Sequence, residues 1–181
     1  MKKVYLIRHG TPDFPDGKRM CLGTTDIPLG QTGFAEAAAM AKKLPPVTAV
    51  FSSPLTRAVQ TAQAIGLPVT ILDDLRELHA GAWDGLTFDQ IRLQFPELYA
   101  ARGTDQTLPL PGAEDHEAGL ARFSKALRTA VSQAPGDVAV VAHGGVIGHF
   151  LKSITGTFQK PIYAQIIPLI NENGRFTMME E

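Results

Sequence analysis

Arg8, His9, Arg57, Glu77 and His143 are the residues whose types could do chemistry together. Arg8 and His9 stand with Gly10 directly after the apolar run 4–7, "VYLI". Arg57 follows the stretch Ser52-Ser53-Pro54 by one helical turn, and His143 is followed by Gly144-Gly145. Glu77 lies in "LRELHAGAWDG", where Gly81 and Gly85 permit close backbone approach. Guanidinium groups grip phosphate oxygens in a fixed fork and stay charged. Glycines at helix N-termini leave backbone N–H groups free for an anion. A neutral imidazole can attack phosphorus, and a carboxyl group can protonate the departing oxygen. This set therefore suits phosphoryl transfer.

Each residue taken alone has an ordinary reading. Arg8 could pair with a surface carboxylate, His9 could be a half-buried hydrogen-bonded histidine, and Glu77 could be solvated. The set matters because its members end successive strands. A metal reading is weaker: His143 and His149 are six apart, and no H-x-x-x-H pattern occurs. His116 and His149 read as helix-surface or packed residues. His79, two residues after Glu77, reads either as an ordinary loop histidine or as a neighbour of the site or of the substrate. Cys21 has no visible base, and Trp83 reads as a packing anchor for its loop.

The elements that must position these residues follow from periodicity and punctuation. Apolar runs at 4–7, 47–53, 69–72 and 137–143 read as strands. Helices are expected over 32–44, 54–66, 86–95, 117–134 and 145–156. The first should bury Phe34, Ala37, Ala41 and Leu44. Ser53 is the expected N-cap of the second, with Pro54 at its first position and Gly66 closing it. Thr87 and Gln90 have capping-box spacing, with Leu86 placed to staple to Ile91, and Pro96 ends that helix. Leu120, Phe123, Leu127 and Val131 mark the buried face of the long helix. The stretch 164–179 reads as a closing hairpin turning near Asn173-Gly174. Alternation of short apolar strands with helices predicts an α/β fold: a three-layer αβα sandwich, mostly parallel, with an antiparallel edge. The site should lie beyond the carboxyl ends of the strands, where two arginines and two histidines converge.

Composition bounds the partners. The chain has 181 residues, 44% hydrophobic and 19% charged, which fits a single domain over 1–181. A net charge of −1 gives no overall attraction to nucleic acid or acidic membranes. One cysteine excludes an intrachain disulfide and a thiolate metal cluster. No run approaches the ~18 apolar residues of a membrane span, and the apolar start is too short for a signal peptide. A cytoplasmic protein is expected, with a small phosphorylated substrate as its partner and a homodimer among its assembly states.

The chain resembles the histidine phosphatase superfamily, the phosphoglycerate mutase-like family. The matching motifs are "LIRHG" at 6–10, "LGTTDIPLGQTG" at 22–33 and "FSSPLTRAVQTA" at 51–62. "LRELHAGAWDGLTF" at 75–88 and "VVAHGGVIGHFL" at 140–151 complete the order. The resemblance implies that His9 is the phosphorylated nucleophile and Glu77 the acid. Arg8, Arg57 and His143 would complete the phosphate pocket, with Gly144, Gly23 and Thr11 as further substrate contacts. It implies neither metal nor organic cofactor. The family often continues R-H-G-x-T-x-x-N, but Pro12 and Pro15 stand at those two positions here.

The expected activity is two-step hydrolysis of a phosphate monoester, with α-ribazole phosphate a candidate substrate. Glu77 must start protonated in such a scheme. A phosphoglycerate mutase-type phosphotransferase is the first rival. Such enzymes usually carry larger insertions after the Glu motif, so hydrolysis is preferred. A non-catalytic phosphate-binding module is the second rival, but it would need no acid. Substrate selection is expected from the loops 11–31 and 103–113; Lys18 and Arg19 read either as solvated loop charges or as contacts to a second anionic group on the substrate.

Overall fold

The computed structural model describes residues 1–179. Six strands form one sheet: β1 (Lys2–Arg8), β2 (Ala49–Ser52), β3 (Val69–Ile71), β4 (Val138–Ala142), β5 (Ile166–Glu172) and β6 (Arg175–Met178). Their spatial order is β3-β2-β4-β1-β5-β6. β1, β2, β3 and β4 pair in parallel, while β5 and β6 run antiparallel at one edge. The helices are α1 (Gln31–Lys43), α2 (Thr56–Gln63), α3 (Phe88–Gln94), α4 (Pro96–Thr104), α5 (His116–Gln133) and α6 (Gly144–Thr155).

Side-chain alternation along the central strands builds two cores. Leu6 of β1 and Val138, Val140 and Ala142 of β4 face Phe123 and Leu127 of α5 and Ile147 of α6. Ile7, Ala139 and Val141 face the other way, onto Met40 of α1 and Ala58 and Ala62 of α2. Strands buried on both faces must be apolar throughout, and all five residues of β4 are buried. The result is the expected three-layer αβα sandwich.

Local signals fared unevenly. Thr87 and Gln90 form a complete capping box on α3. Asn173 and Gly174, at φ 50° and 83°, make the two-residue turn between β5 and β6, as the right-handed twist of a hairpin favours. Pro96 ends α3 but also starts α4, a helix the sequence reading did not place. Ala37 is buried as expected, but Phe34 is half exposed, because α1 turns Gly33 and Met40 inward beside Ala37. Ser53 does not cap α2: that helix starts at Thr56, with Leu55 before it. The Ser53 hydroxyl is engaged at the site described below.

The parallel register brings the strand ends to one rim. Arg8 pairs with Ala142 and Ser52 with Val141. The next residues continue the ladder, with His9 N–H donating to the Ala142 carbonyl at 3.0 Å and Ser53 N–H to Val141 at 3.0 Å.

Candidate active site

β1 stops at His9 because Gly10 N–H turns away to donate to Thr61 Oγ1 on α2, at 3.0 Å. A side chain at position 10 could not fit there, since its Cβ would lie 2.6 Å from the Gly33 carbonyl oxygen. His9 is buried. Its Nδ1 lies 2.7 Å from the Gly10 carbonyl oxygen. A carbonyl only accepts, so Nδ1 carries the hydrogen and Nε2 keeps a free lone pair. Burial lowers the pKa of His9 well below the ordinary histidine value, and the positive charges of Arg57 and Arg8 lower it further. The ring is held neutral, oriented and nucleophilic at Nε2.

Arg57 is fully buried. Its Nη1 donates to the Thr25 carbonyl at 2.9 Å and its Nη2 to the Gly23 carbonyl at 3.0 Å. Arg8 donates from Nη1 to the Pro161 carbonyl at 2.7 Å and lies 3.8 Å over the Tyr163 ring. His143 is fully buried, 5.0 Å from His9 between ring centroids. Its Nε2 lies 2.7 Å from Ser53 Oγ, and that oxygen also accepts from Leu55 N–H at 3.2 Å. The Ser53 hydroxyl then donates to His143 Nε2, which leaves Nδ1 as the N–H donor. Burial, with Arg57, lowers the pKa of His143 well below its usual range too.

Among the described residues, three buried nitrogens of the site find no hydrogen-bond partner: Arg8 Nε, Arg57 Nε and His143 Nδ1. Buried polar groups are normally satisfied, and an unpaired one costs ~1–3 kcal/mol. Two guanidinium groups and an imidazole with spare donors, beside a histidine with a free lone pair, form a socket for an oxyanion.

Glu77 closes the site against α6. Its Oε2 accepts from Gly145 N–H at 2.8 Å, and its Oε1 from Val146 at 2.7 Å and Leu78 at 2.9 Å. The carboxylate thus sits on the positive end of a helix. Gly145 is required there, since a Cβ would come within 2.8 Å of Glu77 Oε1.

The remaining expected contacts are arranged less directly. Gly144 adjoins Arg8, whose Nε would lie 2.9 Å from a Cβ at that position. Gly23 contributes its carbonyl to Arg57 rather than a group to the socket. Thr11 is turned onto Glu36, with its N–H 2.7 Å and its hydroxyl 3.0 Å from the carboxylate. Pro12 bridges to Leu29, and Pro15 opens a single 3₁₀ turn, so both prolines shape the 11–31 loop. Arg19 lies 5.9 Å over the Phe88 ring. His79 accepts from Gly81 N–H at 3.0 Å. Burial raises the Cys21 thiol to about 11, which keeps it protonated and unreactive.

Sequence reasoning missed Lys160, Tyr163 and the tie between Ser53 and His143. A signal existed for the first two. An antiparallel edge strand enters the sheet where its parallel neighbour leaves. The segment before β5 must therefore lie on the site rim, where Arg8 N–H donates to Gln165 and Ala164 N–H to His9.

Known proteins share the family and the fold of this chain. A bifunctional protein of Mycobacterium tuberculosis is 34% identical over 149 residues, covering 78% of this chain. The chain spans only 41% of that relative's length. The glucosyl-3-phosphoglycerate phosphatase of M. tuberculosis is 34% identical over 162 residues, covering 81% of this chain and 72% of the relative. The solved structure of a mycobacterial glucosyl-3-phosphoglycerate phosphatase with VO3 superposes with a TM-score of 0.81 at 29% identity, covering 99% and 98% of the two chains. A putative alpha-ribazole-5'-P phosphatase of Escherichia coli shares the fold, with a TM-score of 0.79 at 22% identity over 98% and 94%. The profile of the histidine phosphatase superfamily (branch 1) matches residues 4–172, and the chain belongs to that superfamily.

Proposed function

We propose that the chain hydrolyses phosphate monoesters through a phosphohistidine on His9. The observation that carries this reading is the trio of unpaired donors, Arg8 Nε, Arg57 Nε and His143 Nδ1, beside the free Nε2 of His9. A phosphoryl group seated on those donors presents phosphorus to Nε2. The lone pair forms the N–P bond as the bond to the ester oxygen breaks. The monoester brings a proton on its phosphoryl group, and Glu77, whose oxygens accept from Gly145, Val146 and Leu78, relays that proton to the ester oxygen, so a neutral alcohol departs. Water then attacks phosphorus, Glu77 takes a proton from it, and the N–P electron pair returns to Nε2. The products are an alcohol and inorganic phosphate. Positioning and fixed charge carry most of the rate in such transfers.

Names among the relatives support hydrolysis over transfer to a second hydroxyl, since several are phosphatases. They also bear on the substrate. Glucosyl-3-phosphoglycerate is favoured by relatives at 34% identity. α-Ribazole phosphate is kept beside it on the resemblance of motifs. Both are small phosphorylated metabolites.

A monoester panel with chelator present tests the reading. His9→Ala should lower kcat by roughly 10⁴-fold or more and abolish an acid-labile phosphoenzyme seen in the parent. Unchanged turnover in that variant would refute the phosphohistidine. Transfer of the phosphoryl group to an added phosphoglycerate, without release of phosphate, would reverse the choice in favour of a mutase.

A further inference from the structure

A cavity opens beyond Glu77, lined by Glu77, Gly145, Arg102, His149, Phe158 and Lys160 among others. Arg8, His9, Arg57 and His143 do not line it. It therefore meets the phosphate socket only at the acid and at the α6 N-terminus. In-line displacement puts the nucleophile and the leaving oxygen on opposite sides of phosphorus. With His9 on one side and Glu77 serving the leaving oxygen, the leaving group extends into this cavity.

The charge on its walls is uneven. Glu114, on one wall, is taken up by Arg122 at 2.6 and 2.7 Å. Both Glu77 oxygens are engaged by backbone N–H groups. His116 and His149 stack at 4.0 Å between ring centroids, and burial lowers both pKa values, His149 to about 4. Neither histidine adds charge near neutral pH. Arg102 lies 5.6 Å over the Trp83 ring and donates to the Leu108 carbonyl.

Lys160 is different. Among the described residues it has no carboxylate within 4.0 Å, and its ammonium makes no hydrogen bond. A Cβ at Gly144 would lie 2.9 Å from both Lys160 Cε and Arg8 Nε, so the two cationic side chains share one small space. Lys160 is exposed to solvent on the wall of the cavity. Two like charges side by side repel unless an anion sits with each. The transferred phosphate serves Arg8. Lys160, facing the cavity, is left for another.

We propose that this cavity is the leaving-group pocket, and that Lys160 selects monoesters whose leaving group carries a second anion, a carboxylate or a phosphate. The inference rests on the phosphatase reading for its orientation. Phe158, Leu22 and Leu110 on the wall suit a short hydrocarbon between the two anions.

Three substrates test it: phosphoglycolate, with a carboxylate; propane-1,3-diol bisphosphate, with a second phosphate; and n-propyl phosphate, with neither. The parent should prefer each anionic ester over n-propyl phosphate in kcat/KM by ~10-fold or more. Lys160→Met should cut that preference by about the same factor, and Lys160→Arg should restore most of it. The relative size of the two preferences tells carboxylate from phosphate. No preference in the parent, or one unchanged in Lys160→Met, would overturn the proposal. Calorimetric binding of the same three esters to His9→Ala gives a readout without turnover. If the parent hydrolyses neither these esters nor any of the monoester panel while binding still favours the anionic esters through Lys160, the phosphatase reading falls and the cavity stands only as a site for a second anion.

Discussion

Ser53 shows how much one hydroxyl can decide. It meets His143 Nε2 at 2.7 Å and accepts from Leu55 N–H at 3.2 Å. By filling Nε2, it leaves the proton on Nδ1, the buried nitrogen without a partner. Ser53→Ala frees either tautomer and lets the ring turn. The expected outcome is a ~10-fold loss of kcat at little change in KM, with thermal unfolding shifted by only a few degrees. Ser53→Thr should recover most of the rate. An unchanged kcat in Ser53→Ala would show that Ser53 does not set the tautomer. Arg57 supports a sharper substitution. Its two terminal nitrogens are spent on the Thr25 and Gly23 carbonyls, while Nε stays spare. A lysine carries its three donors on one nitrogen and cannot reach, as the planar fork does, both carbonyls and an oxyanion at the Nε edge. Arg57→Lys should lower kcat/KM by ~100-fold or more, measured on any monoester the parent accepts.

At the scale of elements, the 22–25 segment is held by a carboxylate outside the strand-end motifs. Asp84 accepts from the N–H groups of Gly23, Thr24 and Thr25 at 3.1, 2.8 and 3.1 Å. Burial pushes its carboxyl up, but hydrogen bonds from Thr25, Thr24 and Gly23 outweigh that and bring it down to about 2. The carbonyls that this segment turns toward α2 are the ones Arg57 grips. Asp84→Ala leaves three N–H groups short of an acceptor, with an expected loss of ~1–3 kcal/mol in stability and a raised KM. Denaturant unfolding and kinetics on the same variant check both. This linkage also shows which parts of the site were legible in sequence. Strand-end residues were legible, because a parallel sheet fixes where its carboxyl ends meet; Arg8, His9, Arg57 and His143 follow from that rule. Asp84 and Ser53 were not, since each acts through a hydrogen bond to a residue at least sixty positions away. α4 was missed because the Pro that opens a helix also reads as the end of the previous one. Phe34 was misassigned because Gly33 and Met40 share the buried face of α1 with the expected Ala37, which rotates that face away from position 34.

For the whole molecule, the consequence of the site is a dependence of stability on pH. His9 and His143 are enclosed by the sheet and the helices around its rim, and both pKa values are lowered, by burial first and by nearby arginines second. In the unfolded chain the same groups titrate near 6.5. Below that pH the unfolded state binds protons that the folded state refuses. Stability is therefore fully present above pH 6.5 and is lost as pH falls toward the depressed folded values. Each such histidine contributes up to ~1.4 kcal/mol per pH unit, so the pair sets a slope of about 3 kcal/mol per unit at most. Asp84, whose carboxyl titrates from 3.8 down to about 2, adds its loss only at lower pH. Between pH 6.5 and 5, urea midpoints should fall steadily, and more gently in His9→Ala, which removes one of the two groups. Inorganic phosphate at 100 times its Kd should restore ~2.7 kcal/mol. Turnover should behave oppositely over the same window. His9 stays neutral as the solution acidifies, so kcat should not decline with an apparent pKa near 6.5 while the protein remains folded. A flat urea midpoint from pH 7 to 5, together with activity lost around 6.5, would mean that the folded site accepts the proton, and a protonated His9 has no lone pair for phosphorus.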